Sequence, residues 1–327
     1  MKRKGYLYEQ IASMEVLREA HHRAKRGKSH YKEVIEIEKD PEYHLSYLKD
    51  LLDLGLFDTS EYRISFRLEG GKMRMIHALP YFPDRIVHHA IMIVLGDTWQ
   101  KSLIRDTFQS LPGRGTSDAR KRVKRAVFGD KPTYYLQIDV QKFYPSIPHW
   151  VLKKIVLKFV KCKRTINLLF NIIESVAGLP IGNFISQILG NLVLSPVDWF
   201  AKQTLKLKHY FRYCDDIVVL HDDKNWLYRV KRNLEHRIND IGLKLKPSWL
   251  LQSVNDNGLD FCGYVFFHDK IKLRQTILDR FNNAVDLGLI PSIISYWGWI
   301  KPLNNLGVWQ RAKEVLKREN VKNALTC

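Results

Sequence analysis

Apolar residues recur at helical spacing over residues 10–26, where Ile11, Met14, Leu17 and Ala20 share a face, and over 42–54, where Leu45, Leu48, Leu51 and Leu52 do the same. From Tyr62 the period shortens. Two alternating runs, 62–68 and 73–79, flank Glu69-Gly70-Gly71-Lys72, a pattern that predicts a β-hairpin. An apolar helix is expected over 86–99, and a basic helical stretch follows in which Arg114, Arg120, Lys121, Arg122, Lys124 and Arg125 are opposed only by Asp118. The middle of the chain mixes short apolar strands with helices: strands at 134–140 and 210–220, amphipathic helices at 150–160 and 165–177, a loop at Leu179-Pro180-Ile181-Gly182-Asn183, and a helix over 184–207. A helix at 226–241 leads to a strand at 259–267, and the sequence beyond Lys272 reads as helical, with Trp297, Trp299 and Trp309 set among basic residues. Strands and helices are mixed rather than strictly alternating, which predicts an α+β fold with antiparallel pairing.

Composition narrows the function. The 327 residues are 45% hydrophobic and carry 53 Lys+Arg against 34 Asp+Glu, a net charge of +19. That hydrophobic content excludes a disordered tail, and the excess of positive charge points to a polyanionic partner such as nucleic acid. No apolar stretch approaches the ~20 residues that span a bilayer, so a soluble, cytoplasmic protein is expected. The cysteines Cys162, Cys214, Cys262 and Cys327 form no Cys-x-x-Cys pair, which argues against a zinc site or a disulfide framework. The adjacent pairs His21-His22 and His88-His89 diverge in direction on a helix and are read as ordinary helix histidines.

Asp215 and Asp216 are the most informative residues. Two neighbouring carboxylates inside an apolar strand pay a desolvation cost that a cation must offset. They can serve one site only if the chain turns there, so a strand-turn-strand hairpin with the acids at its tip is expected. Asp139 ends another apolar strand, and if the two strands lie side by side three hard oxygen ligands converge, a donor set suited to Mg²⁺ or Mn²⁺.

These segments resemble reverse transcriptases. Tyr213-Cys214-Asp215-Asp216 is similar to their Tyr-x-Asp-Asp box, and 136–144, Leu-Gln-Ile-Asp-Val-Gln-Lys-Phe-Tyr, to their first palm motif. The likeness continues in family order through the fingers hairpin at Gly71-Lys72-Met73-Arg74, the loop at Leu179-Pro180-Ile181-Gly182, and Phe261-Cys262-Gly263-Tyr264, which resembles the primer grip. The resemblance implies a right-hand polymerase: a basic helical N-terminal extension (1–54), fingers (55–135, with 150–177 interwoven), palm (136–149 and 178–267) and a helical thumb (268–327). It implies two metal ions ~4 Å apart, held by Asp139, Asp215, Asp216 and the Val140 carbonyl, with Asp139 and Asp215 bridging and Asp216 more dispensable. Tyr144 takes the place of the aromatic that stacks under the sugar and obstructs a 2′-hydroxyl. Lys72, Arg74, Lys142, Phe143, Ile181 and Gln187 complete the expected nucleotide site; Arg114, Gly182, Asn183, Ser186, Tyr213, Cys262, Gly263 and Tyr264 are expected on template and primer. Asn183 is expected to cap the helix that carries Ser186 and Gln187. Trp249 stands where many relatives have a lysine thought to help protonate pyrophosphate; neither Lys244 nor Lys246 is assigned as its substitute.

Ile181, where most relatives carry glutamine, and Gln187, where they carry proline, resemble the reverse transcriptases of diversity-generating retroelements, as do the short length and lack of an appended endonuclease. That subtype implies miscopying of template adenines. It also implies a structured template RNA, an RNA/DNA hybrid and dNTPs as substrates, a basic oligomeric accessory protein, no membrane, and a bacterial, archaeal or phage origin. The alternatives are a retron or group II intron-like reverse transcriptase, and an RNA-binding defence or scaffold protein that polymerises nothing.

Overall fold

The structure is a computed structural model that describes residues 5–69, 71–303, 310 and 313–315, without the side chains of Glu69 and Lys72. Trp309 and Cys327 lie outside the described residues.

A five-stranded sheet carries the centre of the fold. Its strands are β3 (Thr107–Phe108), β4 (Tyr134–Asp139), β5 (His209–Tyr213), β6 (Asp216–His221) and β7 (Leu250–Ser253), in the order β3-β5-β6-β4-β7. The pairing is antiparallel, as expected, apart from the short parallel contact of β3 with β5. The two-residue period splits the strands between two cores. Leu136, Ile138, Tyr210, Ile217 and Val219 enter the large core shared with most of the helices, including Ser186–Trp199 and Lys224–Asn239. Tyr135, Phe211, Val218 and Leu220 enter a second core on the opposite face, built with helix Thr116–Gly129, a three-stranded sheet and the C-terminal helices. That small sheet consists of β8 (Leu259–Phe261), β9 (Tyr264–Phe266) and β10 (Ile271–Leu273), in the order β10-β9-β8.

The hairpin of β1 (Arg63–Glu69) and β2 (Lys72–Ala78) forms with Arg67 directly opposite Arg74. Its other face pairs Phe66 with Met75 and Leu68 with Met73, all four exposed. The N-terminal helices share the large core: Leu17, Ala20 and Ala24 of helix Met14–Ala24, with Leu45 and Leu48 of helix Pro41–Asp53, lie in the same cluster as Ile86, Ala90 and Ile91 of helix Ile86–Lys101.

Several expected elements are divided. The helix expected over 10–26 breaks into Tyr8–Ile11 and Met14–Ala24, because Ser13 leaves the helix and its hydroxyl accepts the Val16 N–H, a local N-cap that outcompetes continuation. The strand expected over 259–267 is a hairpin, turned by Cys262 and Gly263 at φ 51° and 82°. The helix expected over 184–207 starts at Ser186 and passes into a wider turn at Phe200–Thr204. Its N-cap is Ile185, and the Asn183 side chain does not cap it; the Asn183 amide donates instead to the Tyr62 hydroxyl at 2.8 Å.

Candidate active site

Pairing register brings the carboxylates to one edge. Asp139, the last residue of β4, faces Asp216, the first of β6, and residues directly opposed across antiparallel strands share a face. Tyr213 pairs with Asp216, so Cys214 and Asp215 form the two-residue turn between β5 and β6, as the sequence leads one to expect. Cys214 adopts φ 57°, a left-handed conformation uncommon for a side-chain-bearing residue, and Lys142, just beyond Asp139, adopts φ 45°.

On the far side of Asp139 a segment missed by periodicity completes the edge. Val140 bridges Leu245, with the Gln141 N–H donating to the Lys244 carbonyl and the Lys246 N–H to the Asp139 carbonyl, both at 2.8 Å. Lys246 therefore stands across from Asp139, and its ammonium is ion-paired to Asp139 Oδ2. Asp139 Oδ1 is buried with no hydrogen-bond partner. Asp216 is held by Gln137, whose Nε2 donates to both carboxylate oxygens at 3.0 and 3.1 Å and to the Asp260 carbonyl at 3.1 Å.

The electrostatics match the geometry. Burial, then the charge of Asp215, pushes the Asp139 carboxyl up to about 6 against the pull of Lys246. Burial and the charges of Asp139, Asp215 and Asp260 push Asp216 up to about 7, with Gln137 acting the other way. The edge is thus short of positive charge. Among the described residues no three His, Cys, Asp or Glu side chains are gathered as a ready cluster of metal ligands. Lys246 and Gln137 engage the carboxylates, while hard oxygen donors and an orphaned Asp139 Oδ1 fit a divalent cation.

Around this edge the fold arranges a floor and a wall. Tyr144 and Phe143 lie against Gly190 of helix Ser186–Trp199, where a Cβ would come within 3.3 Å of both rings. The Tyr144 hydroxyl is 3.5 Å from Cys214 Sγ in the β5–β6 turn, and its ring remains partly exposed, whereas Phe143 is buried. The loop at 180–183 meets β2 backbone to backbone: the His77 N–H donates to the Ile181 carbonyl at 2.8 Å. A Cβ on Gly182, whose φ is 128°, would lie 2.3 Å from the His77 carbonyl oxygen, so glycine is required for this approach. Ile181 is half-buried and Gln187 exposed, while Ser186 is buried with an unpartnered hydroxyl.

The comparisons decide the family. A family model described as reverse transcriptase (RNA-dependent DNA polymerase) matches residues 67–266, about three fifths of the chain. The chain belongs to the reverse transcriptase family. It is similar to the putative COX1/OXI3 intron 1 protein of Saccharomyces cerevisiae, 21% identical over 259 residues, covering 59% of this chain and 31% of that protein. The chain therefore spans about a third of the length of that curated relative. Among solved structures it is similar to apo telomerase from Candida tropicalis, with TM-score 0.53, 12% identity, and coverage of 80% of this chain and 58% of that one. A telomerase from Candida albicans in complex with a TWJ fragment of telomeric RNA aligns with TM-score 0.50 and 11% identity, over 84% of this chain and 60% of that one. The mixed α and β architecture with antiparallel sheets is the right-hand polymerase fold.

The remaining expected residues are spread around the reverse transcriptase fold. Arg74 is exposed on the hairpin, and Lys142 is exposed beside Asp139; the Lys72 side chain lies outside what the structure describes. Tyr213 closes β5 next to the Cys214–Asp215 turn, and Cys262 and Gly263 form the β8–β9 turn near Asp216. Gly263 admits no side chain, since a Cβ would meet Trp299 at 2.4 Å. Tyr264 is buried, its hydroxyl donating to the Trp299 carbonyl at 3.1 Å, and so joins the Cys262–Gly263 turn to the C-terminal helix Ile290–Ile300. Arg114 folds back onto the Ile104 carbonyl at 3.0 Å. Trp249 lies against Tyr228 of helix Lys224–Asn239, with Lys231 over its ring.

Sequence reasoning missed the support beneath the turn. Arg212, fully buried, grips Asp198 through two hydrogen bonds of 2.7 and 2.6 Å and donates to Asn191 Oδ1 at 3.0 Å and to the Cys214 carbonyl at 2.7 Å. Its only signal in the sequence is a charged residue at an inward strand position, which gains meaning once Asp198 is known to lie opposite.

Among the described residues no helix is long and apolar enough to cross a membrane.

Proposed function

We propose that the chain is an RNA-directed DNA polymerase that copies the template RNA of a diversity-generating retroelement into cDNA, with low accuracy over template adenines. The observation that carries the polymerase reading is the single edge formed by Asp139, Asp215 and Asp216, with one buried carboxylate oxygen lacking a partner. Asp139, Asp215, Asp216 and the Val140 carbonyl would hold two Mg²⁺ ions, or Mn²⁺. When bound, such ions activate the primer 3′-hydroxyl and neutralise charge on the departing pyrophosphate. The protein's own groups bind and orient. Tyr144, braced by Gly190 and Cys214, supports the sugar and leaves no room for a 2′-hydroxyl. Arg74, with Lys72 and Lys142, meets the triphosphate, since a guanidinium grips phosphate oxygens in a two-pronged fashion. The 180–183 loop, anchored to β2, sets the height of the nascent pair, and Ile181 presents hydrocarbon where an amide would orient it.

The direct test is dNTP incorporation on a primed RNA template, with Asp215→Asn as control. Incorporation by the wild type and its loss in the control are expected; equal inactivity with RNA binding intact would favour a scaffold instead. For the subtype, Ile181→Gln is expected to lower misincorporation opposite template adenine, and an unchanged error frequency would remove that part of the reading. The likeness to a yeast intron protein favours a second reading, an intron-type reverse transcriptase, which predicts ordinary accuracy at adenine in the wild type. The proposed partners are a structured template RNA, the RNA/DNA hybrid and a basic oligomeric accessory protein. With a net charge of +19, RNA binding is expected to weaken by ~10³ to 10⁵ between roughly 50 and 200 mM salt if about six to ten phosphates are neutralised.

A further inference from the structure

We propose that Lys246 is a resident cation of the catalytic edge, which holds Asp139 while no divalent ion is bound and competes with the first ion for it. The inference rests on the reading of Asp139, Asp215 and Asp216 as metal ligands. Its basis is the row formed across the sheet. Asp139 has Asp216 opposite it on one side, through the β4–β6 pairing, and Lys246 opposite it on the other, through the bridge of Val140 with Leu245. The lysine is fixed there by its own backbone, since its N–H donates to the Asp139 carbonyl at 2.8 Å, and by Leu245, which is buried in the core on the opposite face. Its ammonium therefore does not reach Asp139 by chance rotation of a distant side chain. It is delivered by register, as cross-strand partners are.

Charge explains why a cation belongs at this position. Three carboxylates share the edge, Gln137 brings only a neutral amide to Asp216, and Lys246 is the cation paired with Asp139. Without it, closely spaced negative charges in a half-buried site would repel one another and pull the strand ends apart. The same contact has a cost for metal loading. Asp139 Oδ2 is engaged, so an ion that takes this oxygen must displace the ammonium, and one that takes the buried, unpartnered Oδ1 is repelled by the ammonium beside it. Lys246 is a positioning residue in this account: it acts through Asp139. Loading of the edge is weakened until nucleotide phosphates bring further ligands, which ties metal binding to nucleotide binding.

The test is Mn²⁺ binding to the whole chain without nucleotide, read as loss of the free-ion electron paramagnetic resonance signal. Lys246→Met is expected to bind Mn²⁺ about 5- to 20-fold more tightly than the wild type, the scale of one partly exposed charge pair. Lys246→Arg keeps the charge and is expected within about twofold of the wild type, as is Lys244→Met, whose side chain is exposed two pairs further along, opposite Gln141. Lys246→Gln serves if the methionine variant does not fold, with the same expected gain. Affinity equal to or weaker than wild type in a folded Lys246→Met or Lys246→Gln protein overturns the role of the lysine while leaving the metal ligands intact. Absence of any Mn²⁺ binding that Asp215→Asn abolishes overturns the ligand reading itself, and the lysine's role with it.

Discussion

Arg212 and Asp198 form an ion pair at 2.6 Å with neither side chain reaching solvent, directly beneath the turn that carries Asp215. Asn191, Tyr210 and Thr107 satisfy the rest of the network, Tyr210 and Thr107 by donating to the Asp198 carboxylate at 2.7 and 3.1 Å. A pair buried this completely is costly to form and costlier to break, because removing one partner strands the other charge.

Arg212→Met is accordingly expected to lower unfolding free energy by about 3–5 kcal/mol, and urea denaturation measures it. Because Arg212 also donates to the Cys214 carbonyl, polymerase activity should fall even at temperatures where the variant stays folded. A loss below about 1 kcal/mol would mean that the pair behaves like a surface one and does not hold the turn.

Gly182→Ala tests the contact between the loop and the hairpin. The added methyl would overlap the His77 carbonyl, so the loop must retreat from β2. A displacement of about 1 Å at a positioning segment costs on the order of 10²-fold in rate, and the variant should lose that much incorporation while its melting temperature moves little. Wild-type kinetics would show that this approach does not set the geometry of the site.

Tyr144→Ala should admit ribonucleotides. Removing the ring from its seat on Gly190 opens the space beneath the sugar, and the dNTP-over-rNTP preference is expected to drop by on the order of 10²-fold, the usual reach of discrimination against a single hydroxyl. Competition assays with matched dNTP and rNTP pairs report it, and an unchanged ratio would assign the ring to packing alone.

Acid sensitivity should trace to His88 together with its neighbour His89, whose imidazole burial pushes down to about 4. Burial, reinforced by His89 and Arg85, pushes the His88 imidazole down to about 3, and its Nε2 has no hydrogen-bond partner. Between that value and the unfolded value near 6.5, the unfolded chain holds the extra proton, so stability is full above about pH 6.5 and falls as the solution is acidified. The loss from this group is about 2 kcal/mol at pH 5. His88→Leu should flatten this slope without a penalty at pH 7, since it removes a buried polar atom that has no partner. An identical pH profile in the variant would place the acid sensitivity elsewhere.

The sequence by itself determined the local features of the site. The alternation around Asp139 and around Asp215-Asp216 specified strands, and a carboxylate pair inside an apolar run specified a hairpin with the acids at its tip; the structure places the turn at Cys214–Asp215 and Asp216 in β6. The Gly70-Gly71 signal specified the hairpin, because strand period and turn chemistry are properties of a few adjacent residues. Local chemistry also decided against two expectations, where Ser13 ended one helix and Cys262–Gly263 turned one strand. What only the tertiary structure decided are the pairings between distant segments. Lys246 meets Asp139 across 107 residues, Thr107 meets Asp198 across 91, and Gly182 meets His77 because a loop closes on strand β2 at backbone distance. Strand order and the choice of sheet face settle such contacts, and both follow from how two hydrophobic cores divide the alternating residues of β4, β5 and β6. A one-residue slip in that division would carry Asp139 and Asp216 into a core and leave Arg212 without Asp198, so the packing energy of the layers is what selects the register that assembles the site.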